Sequence, residues 1–208
     1  MTARGPYAKS RERKNAIADT ALKMVVEFGH ENLSIAQIAS AAGISESSLQ
    51  YHFPTRDEIF VAALAAADER ERSEYSKVGL LADIDFLRMV ARRGVSEPNR
   101  IRLFTEMLAS ASDANHPAHE YIREHHRYAL ENNANLLRER QRTGAAHPDL
   151  NPDEFARQLV AVWDGLQAQW LVSRDFDLEE SIVEACRRLS GEDVMNLRRS
   201  LSQLVEKL

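Results

Sequence analysis

Between Ser34 and Pro54 the chain is cut into two very short helical segments, and few folds accommodate that punctuation. Ser34 stands where its hydroxyl caps a helix whose Ile35, Ile38, Ala39 and Ala42 follow an i, i+3, i+4, i+7 spacing. Gly43 stops that helix after about two turns. Ser45 caps a second segment, Glu46 to Phe53, in which Leu49 and Phe53 lie one turn apart and face inward. Pro54 ends it, because the residue before a proline resists the helical region. Two such helices joined by Gly43-Ile44-Ser45 make a helix-turn-helix: the glycine permits the reversal, and Ile44 and Leu49 lock the second helix against Ile38 and Ala39. The other face then carries Ser45, Glu46, Ser47, Ser48, Gln50, Tyr51 and His52, a set of donors and acceptors suited to phosphates and base edges in a major groove.

Helical periodicity governs the rest of the chain as well. Upstream, Ile17, Ala21, Met24, Val25 and Phe28 form one stripe that Gly29 terminates. Downstream, Thr55 caps a longer helix with Asp57 and Glu58 in its first turn and Ile59, Phe60, Ala63, Leu64 and Ala67 on its apolar face. Further periodic segments span 82–94, 98–112, 117–142, 152–173 and 177–190, and a final helix is expected from Glu192 to Leu208. No alternating strand pattern occurs, and with only 8 Gly and 6 Pro against 44% hydrophobic residues the composition excludes a turn-rich β protein and a disordered chain. The expected class is all-α: a three-helix head at 1–56 and a larger helical body at 57–208. Nowhere do 18 apolar residues run together, and no apolar stretch follows the N-terminus, so neither a membrane partner nor a secretory leader is expected and the cytoplasm is the expected compartment.

The net charge of -5 speaks against a nucleic-acid partner until its distribution is considered. Residues 1–56 hold seven basic side chains against five acidic ones, and within the first 15 residues the balance is five to one. Lys9, Arg11 and Arg13 thus belong to a basic arm that can meet a phosphate backbone while an acidic body remains dispersed.

The run Ile38-Ala39-Ser40-Ala41-Ala42-Gly43-Ile44-Ser45-Glu46-Ser47-Ser48-Leu49-Gln50-Tyr51-His52-Phe53, followed by Thr55-Arg56-Asp57-Glu58-Ile59, resembles the DNA-binding head of the TetR family of regulators. The resemblance spans about residues 9–64. It implies a head on a helical body that binds ligand and dimerises through its last helices, with most members acting as repressors released from DNA by a small molecule. Residue by residue, it places Ser34, Ser48, His52 and Arg56 at phosphates and Ser47, Gln50 and Tyr51 toward bases. Two positions depart from the family pattern: Gln50 stands where an aromatic residue is usual and Ser47 where glycine is common. Gln50 remains chemically apt, since its amide can bond an adenine edge bidentately. A two-turn recognition helix covers only a few base pairs, so a homodimer is expected to address half-sites roughly 34 Å apart on a palindromic operator of double-stranded DNA.

In the body, Phe155, Leu159, Val162, Trp163, Leu166 and Trp170 form one stripe, with Val160, Gln167 and Leu171 on a second face, so this helix is expected to be buried on several sides. The resemblance implies that it borders the effector cavity and also pairs with its symmetry mate. On that basis Leu159, Trp170, Ile182, Ala185, Cys186 and Leu189 are the expected dimer contacts. Phe86, Met89, Phe104, Met107, Leu108, His126, Trp163 and Gln167 are the expected ligand contacts, for a small-molecule effector with apolar surface. No cofactor is expected.

Two other classes are compatible with the residues. His116, His119, Glu120, His125 and His126 fall close together, but a zinc-hydrolase His-Glu-x-x-His starting at His119 needs histidine at the position of Arg123. Catalysis is therefore not expected, and metal sensing by this cluster stays open. So does a helical scaffold whose head no longer binds DNA.

Overall fold

The computed structural model describes residues 6–78 and 84–205, with the side chains of 6–9 and 76–78 excepted, so Lys9 is placed on its helix but its side chain lies outside the described residues. The described residues form ten α-helices and no strand: α1 (Pro6–Phe28), α2 (Ile35–Ala41), α3 (Glu46–His52), α4 (Arg56–Val78), α5 (Ile84–Ser96), α6 (Pro98–Ser110), α7 (Ala118–Arg142), α8 (Pro152–Ser173), α9 (Leu178–Leu189) and α10 (Glu192–Val205). A 3-10 turn, His30–Asn32, separates α1 from α2. The expected continuation of the last helix to Leu208 lies outside the described residues.

The helix ends follow from local chemistry. Ser34 and Gln37 form a reciprocal capping box, Ser34 Oγ accepting from the Gln37 amide at 3.2 Å and Gln37 Oε1 accepting from the Ser34 amide at 2.8 Å. Ser45 Oγ accepts from the Ser48 amide at 3.2 Å, and Thr55 Oγ1 from the Glu58 amide at 3.2 Å. Gly43, at φ +66°, makes the left-handed reversal between α2 and α3, a conformation that a side chain resists. In the last third of the chain Asn151 caps α8 and Asp177 caps α9, each through its side-chain oxygen.

The chain divides into two compact units. One comprises residues 1–74 and 97–123, and so extends beyond the 1–56 head. The apolar face of α4 explains this: Ile59, Phe60, Ala63, Leu64 and Ala67 are buried in one cluster with Ile17, Val25, Ile38 and Leu49, and Leu103 and Met107 of α6 belong to the same cluster. Polar contacts from three side chains tie the unit further. Asn99 Nδ2 donates to the Val26 carbonyl at 3.1 Å. Arg100 pairs with both Glu71 and Glu97. The Tyr121 hydroxyl donates to Asp68 at 3.1 Å.

The second unit comprises residues 75–96 and 124–208. Here α9 packs between α5 and α8, burying Leu178, Ile182, Val183 and Cys186 with Leu87, Ala91, Phe155 and Leu159. Two cross-helix ion pairs run along the α5–α9 contact, Arg88 with Glu180 at 2.7 Å and Arg92 with Glu179 at 3.1 Å. The Gln141 amide bridges to the carbonyls of His147, Pro148 and Leu150, fastening the connection between α7 and α8. Among the described residues no helix is long and apolar enough to cross a membrane.

Candidate nucleic-acid interface and sensor residues

Helix α3 is held from one side only. Leu49 is fully buried and Phe53 nearly so, which fixes the helix on α2 and leaves Glu46, Ser47, Gln50 and Tyr51 exposed. Tyr51 is 83% exposed, far more than an aromatic side chain of no surface function needs to be, and its ring meets His52 edge-on at 5.4 Å. Gln50 and Tyr51 are therefore presented together on the outer face of α3. Glu46 lies in the first turn, where the helix dipole favours a carboxylate.

Several of the expected DNA contacts are already engaged within the chain. The Ser34 and Ser45 hydroxyls serve as caps, and Ser47 Oγ lies 3.1 Å from Ser45 Oγ. Ser48 and His52 are half-buried. Arg56, expected at a phosphate, turns inward instead: one Nη donates to the His30 carbonyl and the guanidinium lies over the Phe60 ring at 4.9 Å. The His30 carbonyl, at the start of the 3-10 turn, already accepts the Leu33 amide at 3.2 Å, and Arg56 adds a second donor to it. Arg11 and Arg13 are exposed on α1 as expected.

A cation absent from the expected set joins this surface. Lys14 is exposed on α1, with Nζ 5.4 Å from the centroid of Phe53 at the C-terminal end of α3. Its signal in the sequence was the same basic arm that singled out Arg11 and Arg13; what the sequence does not display is that α1 passes the end of α3.

The expected ligand residues fall into the two units. Phe104, Met107 and Leu108 belong to the α6 side of the first unit, and Met107, 1% exposed, is filler of its core rather than a surface a ligand can meet. In the second unit Phe86 packs edge-on against Tyr75 with centroids 5.0 Å apart, and Met89 is half-buried on α5. His126 of α7 faces Asp164 of α8, Nε2 to Oδ2 3.3 Å, off the line of a hydrogen bond, so the buried Nε2 makes none. Trp163 and Gln167 flank Asp164 on α8 and are half-buried. Asp164 was missed by sequence reasoning, although it is the one carboxylate between Phe155 and Ser173.

The expected dimer contacts lie on the intended helices but mostly on the inner faces. Leu159, Ile182 and Cys186 are fully buried within their own chain and Trp170 nearly so, with Arg174 stacked over its ring at 5.0 Å. Large apolar side chains fill the protomer's own core first, which is why these four are not available to a partner. Ala185 and Leu189 are half-buried. The open face of α8 carries small residues instead: Ala161 is exposed, Gly165 has open space beside it, Ala168 is half-buried and Val172 is 89% exposed. Burial raises the Cys186 thiol to about 11, which removes it from thiolate chemistry at neutral pH.

The histidines each have separate partners. His116 Nε2 lies 3.2 Å from Asp57, and His119 Nδ1 lies 2.8 Å from the Ala111 carbonyl. Among the described residues no group of three or more potential ligands is placed to hold a metal ion.

A family model described as bacterial regulatory proteins of the tetR family matches residues 17–63, and one described as the C-terminal region of BetI-type transcriptional repressors matches residues 85–191. The HTH-type transcriptional regulator RutR of Escherichia coli strain K12 is 30% identical over 107 residues, which is 48% of this chain and 50% of that protein. The match thus spans about half the length of the curated relatives. Among solved structures, a TetR transcription regulator from Haloarcula marismortui aligns with a TM-score of 0.70 at 18% identity, over 87% of this chain and 97% of the other. A transcriptional regulator from Saccharomonospora viridis, solved in complex with choline, aligns with a TM-score of 0.64 at 22% identity, over 84% and 94%.

Proposed function

The chain belongs to the TetR family of bacterial regulatory proteins, and from that membership we propose that it is a repressor that binds an approximately palindromic operator as a homodimer and leaves it when a small molecule binds. The observation that carries this reading is the outward ridge of Gln50 and Tyr51 on a helix fixed at its back by Leu49 and capped at its front by Ser45. A side chain that reads a base edge needs that combination of a rigid support and a free polar tip. Arg11, Arg13 and Lys14 supply the non-specific phosphate attraction.

For the sensor, the reading rests on His126 and Asp164. A half-buried imidazole and carboxylate that face each other without a hydrogen bond invite a ligand group that completes both, and Trp163 beside them offers apolar surface. The effector is accordingly a small molecule with an apolar body and one hydrogen-bonding or cationic group. For the dimer, the small side chains of Ala161, Gly165 and Ala168 allow two α8 helices to approach closely.

Selection of bound genomic fragments by the full chain at about 0.15 M salt with non-specific competitor tests the proposal. Enrichment of a short palindrome supports it. No enrichment over competitor overturns it in favour of a helical scaffold.

A further inference from the structure

Helix α10 is an amphipathic helix with no buried residue. Its attachment is one-sided: Gly191, at φ +67°, starts it, Arg140 pairs with Glu192, and Arg199 donates to the Gly144 carbonyl at 3.2 Å. A side chain at Gly191 would be strained by the positive φ, and its Cβ would crowd His147 Cβ at 3.2 Å. Glu192, half-buried Met195 and Arg199 thus mark the attached face, and the residues on the other side of the helix are Val194, Leu197, Leu201 and Leu204. These four are 56%, 63%, 55% and 60% exposed, more apolar surface than a single helix leaves in water without a purpose.

Their spacing is 3, 4 and 3, that of alternating a and d positions in a heptad, and in the sequence Leu208 stands four residues further on. On this assignment Asp193 occupies a g position and Arg198 an e position. In a parallel, in-register pair a g residue faces the e′ residue five positions further along the partner, so Asp193 meets the partner's Arg198 twice across the two-fold axis. An antiparallel pair sets e against e and g against g, and loses that complementarity. The matched family models end at residue 191, one residue before α10 begins.

We propose that α10 is a pairing helix that meets the α10 of a second copy of this chain, parallel and in register, through Val194, Leu197, Leu201 and Leu204. The proposal rests on the dimer reading above, because two heptads are too short to pair alone and depend on the rest of the chain to hold two copies together. The contact adds to the face of α8 and does not replace it. It also covers an apolar stripe that would otherwise promote non-specific association.

The test uses the full chain with a single added cysteine, the native Cys186 being buried. Leu204→Cys is expected to give a covalent dimer on mild oxidation, because parallel helices place the two positions side by side; antiparallel helices separate them by many residues. Asp193→Arg is expected to weaken the dimer severalfold in sedimentation equilibrium, and the double variant Asp193→Arg with Arg198→Asp to restore it. Leu201→Glu is expected to raise the dimer Kd by about tenfold or more. If Leu204→Cys does not cross-link and Leu201→Glu leaves the dimer Kd unchanged while the wild-type chain sediments as a dimer, this proposal fails and the dimer reading stands. A wild-type chain that is monomeric throughout overturns both, as does α10 burying its stripe in lipid vesicles in preference to a second copy.

Discussion

His30 and Glu106, far apart in sequence, meet at 2.6 Å, the imidazole Nε2 against a carboxylate oxygen. The ring is buried edge-on against Phe60, 5.9 Å between centroids, and the same residue's carbonyl receives Arg56. One buried side chain thus links the turn after α1, the start of α4 and the outer half of α6. His30→Ala removes a packed ring and a hydrogen bond together and is expected to cost about 2–4 kcal/mol of stability. Glu106 is half exposed, so Glu106→Ala is expected to cost about 1 kcal/mol. Urea denaturation of the two variants checks the order. Equal and small losses would show that the ring's packing contributes little.

Operator binding separates the cations by what they touch. Tyr51→Ala and Gln50→Ala are each expected to lose about 1–3 kcal/mol for the operator with non-specific affinity nearly unchanged, since both side chains point outward from a helix that folds without them. Lys14→Ala is expected to weaken operator and non-specific DNA alike and to reduce the salt slope by about 1. Arg56→Ala is expected to lower stability and leave the slope alone, because its guanidinium is held by the His30 carbonyl. Fluorescence anisotropy across a salt series distinguishes these cases; a reduced slope for Arg56→Ala would mean that the side chain swings out to a phosphate.

Arg100 is mostly buried between Glu71 and Glu97, linking α6 to α4 and to its own N-terminus. Removing the cation strands carboxylates in a poorly hydrated setting, and Arg100→Met is expected to cost about 3–5 kcal/mol. Arg100→Lys is expected to recover only part of this, because a single ammonium cannot reproduce the forked donors. Thermal denaturation at equal ionic strength measures both, and full rescue by lysine would reduce the contact to simple charge.

The helices were legible because their ends are written locally. Ser34, Ser45 and Thr55 each cap the helix assigned to them, and Gly43 makes the turn where expected, all through contacts within a few residues. What a side chain faces across the fold was less so. Arg56 looked like a phosphate ligand by position, yet it answers a carbonyl 26 residues earlier. Helix α8 is apolar on more than one face, and its large residues Leu159 and Trp170 fill the protomer core, which leaves the open face to Ala161, Gly165 and Ala168. Periodicity reports that a helix is buried on several sides but not which neighbour covers each. His126 was identifiable as a polar residue on a packed helix; its partner Asp164, on another helix, was not.

Cys186 and Tyr121 give the stability a dependence on alkaline pH. Burial raises the Cys186 thiol from 9.0 to about 11, and burial together with the nearby Asp68 carboxylate raises the Tyr121 phenol well above 10. Both groups are neutral when protonated, so the folded state holds its proton at a pH where the unfolded chain has released it. The stability they contribute is complete below the unfolded value and declines as pH rises toward the folded one. For Cys186 that window runs from about 9 to about 11 and amounts to about 2–3 kcal/mol. Native protein is therefore expected to resist a thiol reagent at pH 8 and to react once unfolded. Cys186→Ala is expected to flatten the decline between pH 9 and 10, where the tyrosine has not yet begun to contribute. A native thiol that reacts promptly at pH 8 would place Cys186 in contact with water, and the packing of α9 against α5 and α8 would then have to be looser than its buried Ile182 and Val183 indicate.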